Sequence, residues 1–228
     1  MHCATIILAL AASVALALPS NHEFKRADEL ADKPTYVPMQ WVGRLSPDSD
    51  ETTTLYGTAP SILEQILQLK PDYSPWDFED YRTDMQAKGI TREMDDAGLE
   101  HVARRRAVSL NPSAVLKREE GWFDCNAGTG LVDWGSCEEG LGTMRRLGGG
   151  SALCAVDGRG VPYTCTRFSC SWNCGIFLCS RFGAMVQVLC RDIATDMEKI
   201  AGACNRSGWV KGRLVFNTHY TELNRQDC

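Results

Sequence analysis

Between residues 4 and 124 the chain contains no cysteine. That gap excludes a disulfide framework for the first half, and it sets the ten cysteines from Cys125 to Cys228 apart as a module. Histidine is also scarce: there are four, and only His219 lies after residue 118. No C-x-x-C occurs, so a zinc ribbon and a thioredoxin-type redox site both lack their ligand spacing. Positive charge is not in excess. The 24 Lys+Arg stand against 29 Asp+Glu, a net charge of −5, which argues against a nucleic-acid coat. Beyond Leu18 no apolar run approaches membrane-spanning length. The glycines of Gly128-Thr129-Gly130 and Gly140-Leu141-Gly142 do not complete G-x-G-x-x-G, and no Walker-type lysine follows them.

Ala4 to Leu18 is an unbroken run of apolar or small residues. It is short for a membrane span and carries the small-x-small pattern Ala15-Leu16-Ala17 before polar sequence. Residues 1–17 are therefore expected to be a secretory signal. Cys3 leaves with it, so an odd count of 11 cysteines becomes an even ten.

Residues 18–118 hold 17 Asp+Glu, 13 Lys+Arg and eight of the nine prolines. Proline this dense interrupts helices and strands. Ser61-Ile62-Leu63-Glu64 has the pattern of a capping box and predicts a helix of about ten residues ended by Pro71. A second helix is expected from Thr91 to Arg106. Tyr73 to Tyr81 is acidic and aromatic. The basic runs Lys25-Arg26, Arg104-Arg105-Arg106 and Lys117-Arg118 resemble sites for kexin-type processing proteases. Lys117-Arg118 coincides with the change in composition, so cleavage is expected after Arg118. Residues 18–118 then read as a mostly unstructured propeptide or flexible N-terminal region.

Residues 119–228 form the cysteine-rich module. A chain this small buries limited apolar surface, and cross-links offset that deficit. In an exported protein Cys125, Cys137, Cys154, Cys165, Cys170, Cys174, Cys179, Cys190, Cys204 and Cys228 imply five disulfides, with the pairing open. Leu153 to Val156 and Ile176 to Leu178 read as strands. From Met185 to Cys204 the residues Val186, Leu189, Cys190, Ile193, Met197, Ile200, Ala201 and Cys204 recur every three or four positions. Arg191, Asp192, Asp196, Glu198 and Lys199 take the other face. This is the clearest amphipathic helix of the chain, stapled at both ends by Cys190 and Cys204. Trp209 to Tyr220 predicts one or two further strands. The fold class expected is α+β: a small disulfide-stapled α/β sandwich, an antiparallel sheet with at least one amphipathic helix. Asn205-Arg206-Ser207 is a glycosylation sequon in a predicted loop.

Catalytic patterns are thin. His219 is the sole base available to a triad in the module, and a solvated or partly buried histidine is the simpler reading. The adjacent acids Glu119-Glu120 and Glu138-Glu139 point apart rather than forming a carboxylate couple. Asp133 and Asp157 carry no distinguishing pattern. No enzyme activity, cofactor or metal is expected, and a small hydrolase using His219 is the competing view. Trp122, Trp134, Trp172 and Trp209 are many for so short a module. Core packing against disulfides is favoured for them, and partner contact is the alternative. Arg145 and Arg146 are possible partner contacts, as are Lys211 and Arg213.

The run Cys170-Ser171-Trp172-Asn173-Cys174-Gly175-Ile176-Phe177-Leu178-Cys179 resembles a signature of small secreted cysteine-rich proteins of filamentous fungi. Cys190-Arg191-Asp192-Ile193-Ala194, then Cys204, Gly212 and a final Cys228, continue the likeness. Cys174 stands where that pattern more often has a small polar residue. The order and spacing are also similar to killer-toxin-like α/β sandwiches. The resemblance covers residues 122–228. It implies a secreted fungal effector, proteolytically matured, that binds a host protein or cell-surface component to modulate host immunity or virulence, in the extracellular space or after uptake into host cells. The alternative it implies is a killer-toxin-like or antimicrobial protein acting on competing microbes. Neither nucleic acid nor stable membrane insertion is expected, and the oligomeric state is left open.

Overall fold

The computed structural model describes residues 34–96 and 121–228. The signal at 1–17, the Lys25-Arg26, Arg104–Arg106 and Lys117-Arg118 runs, Glu119-Glu120, and the expected helix beyond residue 96 lie outside the described residues.

Short elements follow one another closely from Pro34 onward. Strands β1 (Thr35–Val37), β2 (Met39–Gly43) and β3 (Thr53–Gly57) precede helix α1 (Ala59–Leu69). A 3-10 turn at Pro75–Asp77 leads into α2 (Glu79–Ala87), and α3 (Arg92–Asp96) begins the helix expected from Thr91. The expectation of a mostly unstructured region is corrected for residues 34–96. The physical reason lies in where the prolines sit. Pro38 separates β1 from β2, Pro60 occupies the first turn of α1, Pro71 follows α1 and Pro75 opens the 3-10 turn. Each stands at an element boundary, where a missing N–H costs little. Thr58 rather than Ser61 stands at the N-cap of α1, with no side-chain cap bond, so the capping box does not form.

The cysteine module continues with β4 (Trp122–Asp124), β5 (Val132–Asp133), α4 (Glu138–Arg146), β6 (Leu153–Val156), β7 (Thr164–Ser171), β8 (Cys174–Ser180) and β9 (Val186–Leu189). Helix α5 (Cys190–Cys204), β10 (Trp209–Val210), β11 (Gly212–Val215) and β12 (His219–Arg225) complete it. The fold is α+β, as expected, with sheets that are antiparallel except for the pairing of β1 with β7. One sheet has the order β1-β7-β8-β12-β11-β4, a second β3-β2-β6-β9, and β10 pairs with β5.

Both sheets combine strands from the two halves of the sequence. In the four-stranded sheet β2 lies between β3 and β6, with Trp41 opposite Cys154. The core is likewise shared: Met39, Trp41, Ile62, Ile66, Phe78, Tyr81 and Met85 belong to one cluster with Leu141, Met144, Phe168, Ile193 and Leu223. Trp41 is fully buried, and its indole N–H donates to the Leu147 carbonyl at 3.0 Å.

Five disulfides are present: Cys125–Cys204, Cys137–Cys174, Cys154–Cys190, Cys165–Cys179 and Cys170–Cys228. Helix α5 is tied at its first residue to β6 and at its last to the end of β4, the double staple its cysteines foretold. Its outward face is less polar than its sequence. Arg191 and Asp196 are buried, because Arg191 reaches Asp80 of α2 and Asp196 accepts a bond from Thr221 of β12. The helix is covered on both sides.

Candidate functional site

Strands β7 and β8 are joined by two residues, Trp172 and Asn173, closed by the pair Ser171 and Cys174. Both loop residues are left-handed, with φ of 48° and 66°. Two-residue hairpins select such turns because their twist matches that of the strands, and they favour Asn and Gly. Tryptophan in this conformation costs about 1–2 kcal/mol. Nothing in the core requires it there, since its side chain is 77% exposed.

The tip is held on both flanks. Cys170, two residues before Trp172, bonds Cys228, and Cys174, two residues after it, bonds Cys137. The Gln226 N–H donates to the Asn173 carbonyl at 2.9 Å. A large aromatic ring is thus displayed on a stiff mount, with little conformational freedom left to lose on binding.

Two more tryptophans converge on this end. The Ser171 hydroxyl donates to the Ser136 carbonyl, which places the turn at Trp134–Cys137 beside the hairpin tip. Trp209 lies opposite Asp133 in the β10–β5 pair, next to that turn. Trp209 is half exposed and Trp134 is partly buried against the core. The sequon is here as well. Asn205 is exposed in the turn after α5, where its side-chain oxygen accepts the Gly208 N–H at 2.9 Å.

The favoured core role of the module's tryptophans is corrected for Trp122, Trp172 and Trp209, while Trp134 does pack against the core. Trp122, at 59% exposed on edge strand β4, is also outside the core, and the buried tryptophans are Trp41 and Trp76 of the N-terminal half. Hairpin sterics put Trp172 outward and edge position does the same for Trp122, while disulfides, aliphatic side chains and the rings of Phe168 and Phe216 fill the interior. Among the basic candidates Arg145 is corrected: it is buried and paired with Glu198 of α5. Arg146 is exposed. Lys211 donates to the carbonyls of Asn126 and Gly128, and Arg213 pairs with Glu222 and covers the Tyr220 ring at 4.7 Å.

The outward face of the six-stranded sheet around Arg213 escaped sequence reasoning. The Cys165–Cys179 disulfide, Phe177, Val215 and Tyr220 form a second apolar cluster there, and Tyr36 lies 5.7 Å from the Phe177 ring. Burial, then the charge of Glu222, holds the Tyr36 hydroxyl above its usual pKa. The strict alternation of β8 and β12 would have been the signal for it, but all seven β8 residues are buried, which masks the period.

His219 is buried and stacks on Phe216 with ring centres 4.6 Å apart, its Nδ1 3.1 Å from the Thr218 hydroxyl. Asp133 accepts the Ser136 N–H and Asp157 the Arg159 N–H, so each serves its own turn. Glu138 and Glu139 lie in the first turn of α4, favourably placed for the helix dipole. A shallow groove of 440 Å³ between α1 and α4 is lined by Pro60, Leu63, Glu64, Leu67, Gln68 and Thr143. Among the described residues no group of three or more His, Cys, Asp or Glu could hold a metal ion, and no helix is long and apolar enough to cross a membrane. No family model, curated protein or solved structure matches the chain.

Proposed function

We propose that this chain is a secreted fungal cysteine-rich effector, proteolytically matured, that acts by binding a host protein or cell-surface component rather than by catalysis. The observation that carries the reading is Trp172: an exposed, left-handed tryptophan between two disulfide-bonded cysteines. Exposed aromatics on rigid supports are the usual anchors of protein interfaces, because they bury large area at low entropic cost. Trp209 and Trp134 extend the contact, and Arg206 and Arg225, both exposed, flank it with charge. Five disulfides accord with an oxidising, extracellular setting.

The test compares purified wild-type protein with Trp172→Ala in two assays, suppression of plant immune output and growth inhibition of other microbes. Suppression by the wild type that falls at least ten-fold in Trp172→Ala, with circular dichroism unchanged, is the expected result. Growth inhibition without an immune effect would replace this reading with the killer-toxin-like one. Equal activity of the two proteins would remove Trp172 from the contact.

A further inference from the structure

Every disulfide joins two cysteines within residues 125–228, and none reaches residues 34–96. Yet that N-terminal segment supplies parts the module does not have. Without β2 and β3 the four-stranded sheet is reduced to β6 and β9. The cavity filled by Trp41 would open beneath Leu147. Phe78 lies so close to Gly149 and Gly150 that a Cβ on either would stand 2.7–2.8 Å from its ring. Glycines at these positions accommodate Phe78 and, at Gly149, the Tyr73 hydroxyl as well.

A polar clamp closes the same contact. The Asp80 carboxylate of α2 accepts the Ser151 N–H at 2.8 Å, the Ser151 hydroxyl at 2.9 Å and the Arg191 guanidinium at 2.5 Å. Lys88 donates to the Thr195 hydroxyl of α5 at 3.2 Å, and the Tyr73 hydroxyl donates to the Arg146 carbonyl at 3.2 Å. An isolated module would expose all of these apolar surfaces and strip Arg191 of Asp80 and Asp84, leaving it the Gly148 carbonyl.

We propose that the surface of the module formed by β6, β7, the glycine turn at 148–151 and α5 is a permanent binding site for residues 34–96, and that cleavage after Arg118 yields two noncovalently joined chains instead of a discarded propeptide. The inference rests on the cut included in the proposed maturation. It does not depend on what the mature protein binds. The mature protein is then a pair, in which one chain is cross-linked and the other is held by packing, strand pairing and the Asp80 clamp.

The full chain, purified before processing, is treated with a kexin-type protease and followed by gel filtration and non-reducing denaturing gels. Complete loss of the full-length band, with no shift in native elution volume, is expected. Elution of the N-terminal chain alone, with the remaining module keeping its native circular dichroism, would overturn the retained pair. A chain that resists the protease between residues 97 and 120 would overturn the maturation step itself. Neither result bears on the immune assay, so failure of the pair and failure of the effector reading stay separable.

Discussion

The two halves of this molecule solve the same problem by different means. Residues 125–228 carry five cross-links around an interior that mixes aliphatic side chains with Phe168, Phe177, Phe216 and Tyr220. Residues 34–96 carry none and instead bury large aromatic rings, Trp41, Tyr73, Trp76, Phe78 and Tyr81. A disulfide acts chiefly on the unfolded chain, whereas a buried ring acts through contacts that exist only in the folded one. The tryptophans mark the division. Those of the N-terminal half lie inside, whereas Trp122, Trp172 and Trp209 of the module are exposed and Trp134 is partly buried. Cross-links add to burial in the module, whereas the segment relies on burial without them.

Substitutions that remove one device and leave the other should separate the two halves. The largest effect is expected from Trp41→Ala, which empties a fully buried site and orphans the Leu147 carbonyl. It should cost about 3–5 kcal/mol in urea unfolding. Replacing Cys154 and Cys190 together by Ser should cost about 2–5 kcal/mol, read the same way. Gly150→Ala forces a Cβ against the Phe78 ring at a residue with φ of 62°. A loss of about 1–3 kcal/mol is expected, with the Phe78 contact as the part that yields.

Acid should act on the polar clamp. Burial alone would raise the pKa of Asp80, but bonds from Arg191 and Ser151 and the charge of Arg191 outweigh it, and the carboxyl sits below its usual value. A depressed pKa contributes stability that is complete above the unfolded value of about 3.9 and is lost as pH falls through the folded one. Urea midpoints of the wild type should therefore fall below pH about 4, and those of Asp80→Asn should be lower at neutral pH and flatter on acidification. The smallest effect on stability belongs to Trp172→Gly. Relief of the left-handed strain and the added freedom of glycine nearly cancel, so the change should lie within about 1 kcal/mol while binding is lost.

The legible parts of the fold were those with strong local periodicity. Helix α5 and strands β6 and β8 follow directly from the placement of Cys190, Cys204, Leu153–Val156 and Ile176–Leu178. The order of residues 34–96 was hidden because proline density says where elements stop, not whether they pack. Tyr73 to Tyr81, acidic and aromatic in sequence, pointed to no structure for a related reason. Its acids are conspicuous in sequence, yet its rings point inward and Asp80 is consumed by Arg191 and Ser151. The purpose of Gly148-Gly149-Gly150 is not visible locally, because it depends on Phe78, some seventy residues earlier. Disulfide pairing was not legible at all. The neighbours Cys170, Cys174 and Cys179 bond Cys228, Cys137 and Cys165, partners set by strand order. The site was half legible: Trp172 was visible as a residue, but its exposure follows from a turn that normally excludes tryptophan.

The central claim is that residues 34–96 belong to the folded core. Amide hydrogen exchange of the disulfide-intact full chain tests it most directly. The amides of β2, from Gln40 to Gly43, should exchange as slowly as those of its neighbour β6. Exchange of β2 within seconds, beside a protected β6, would contradict the account.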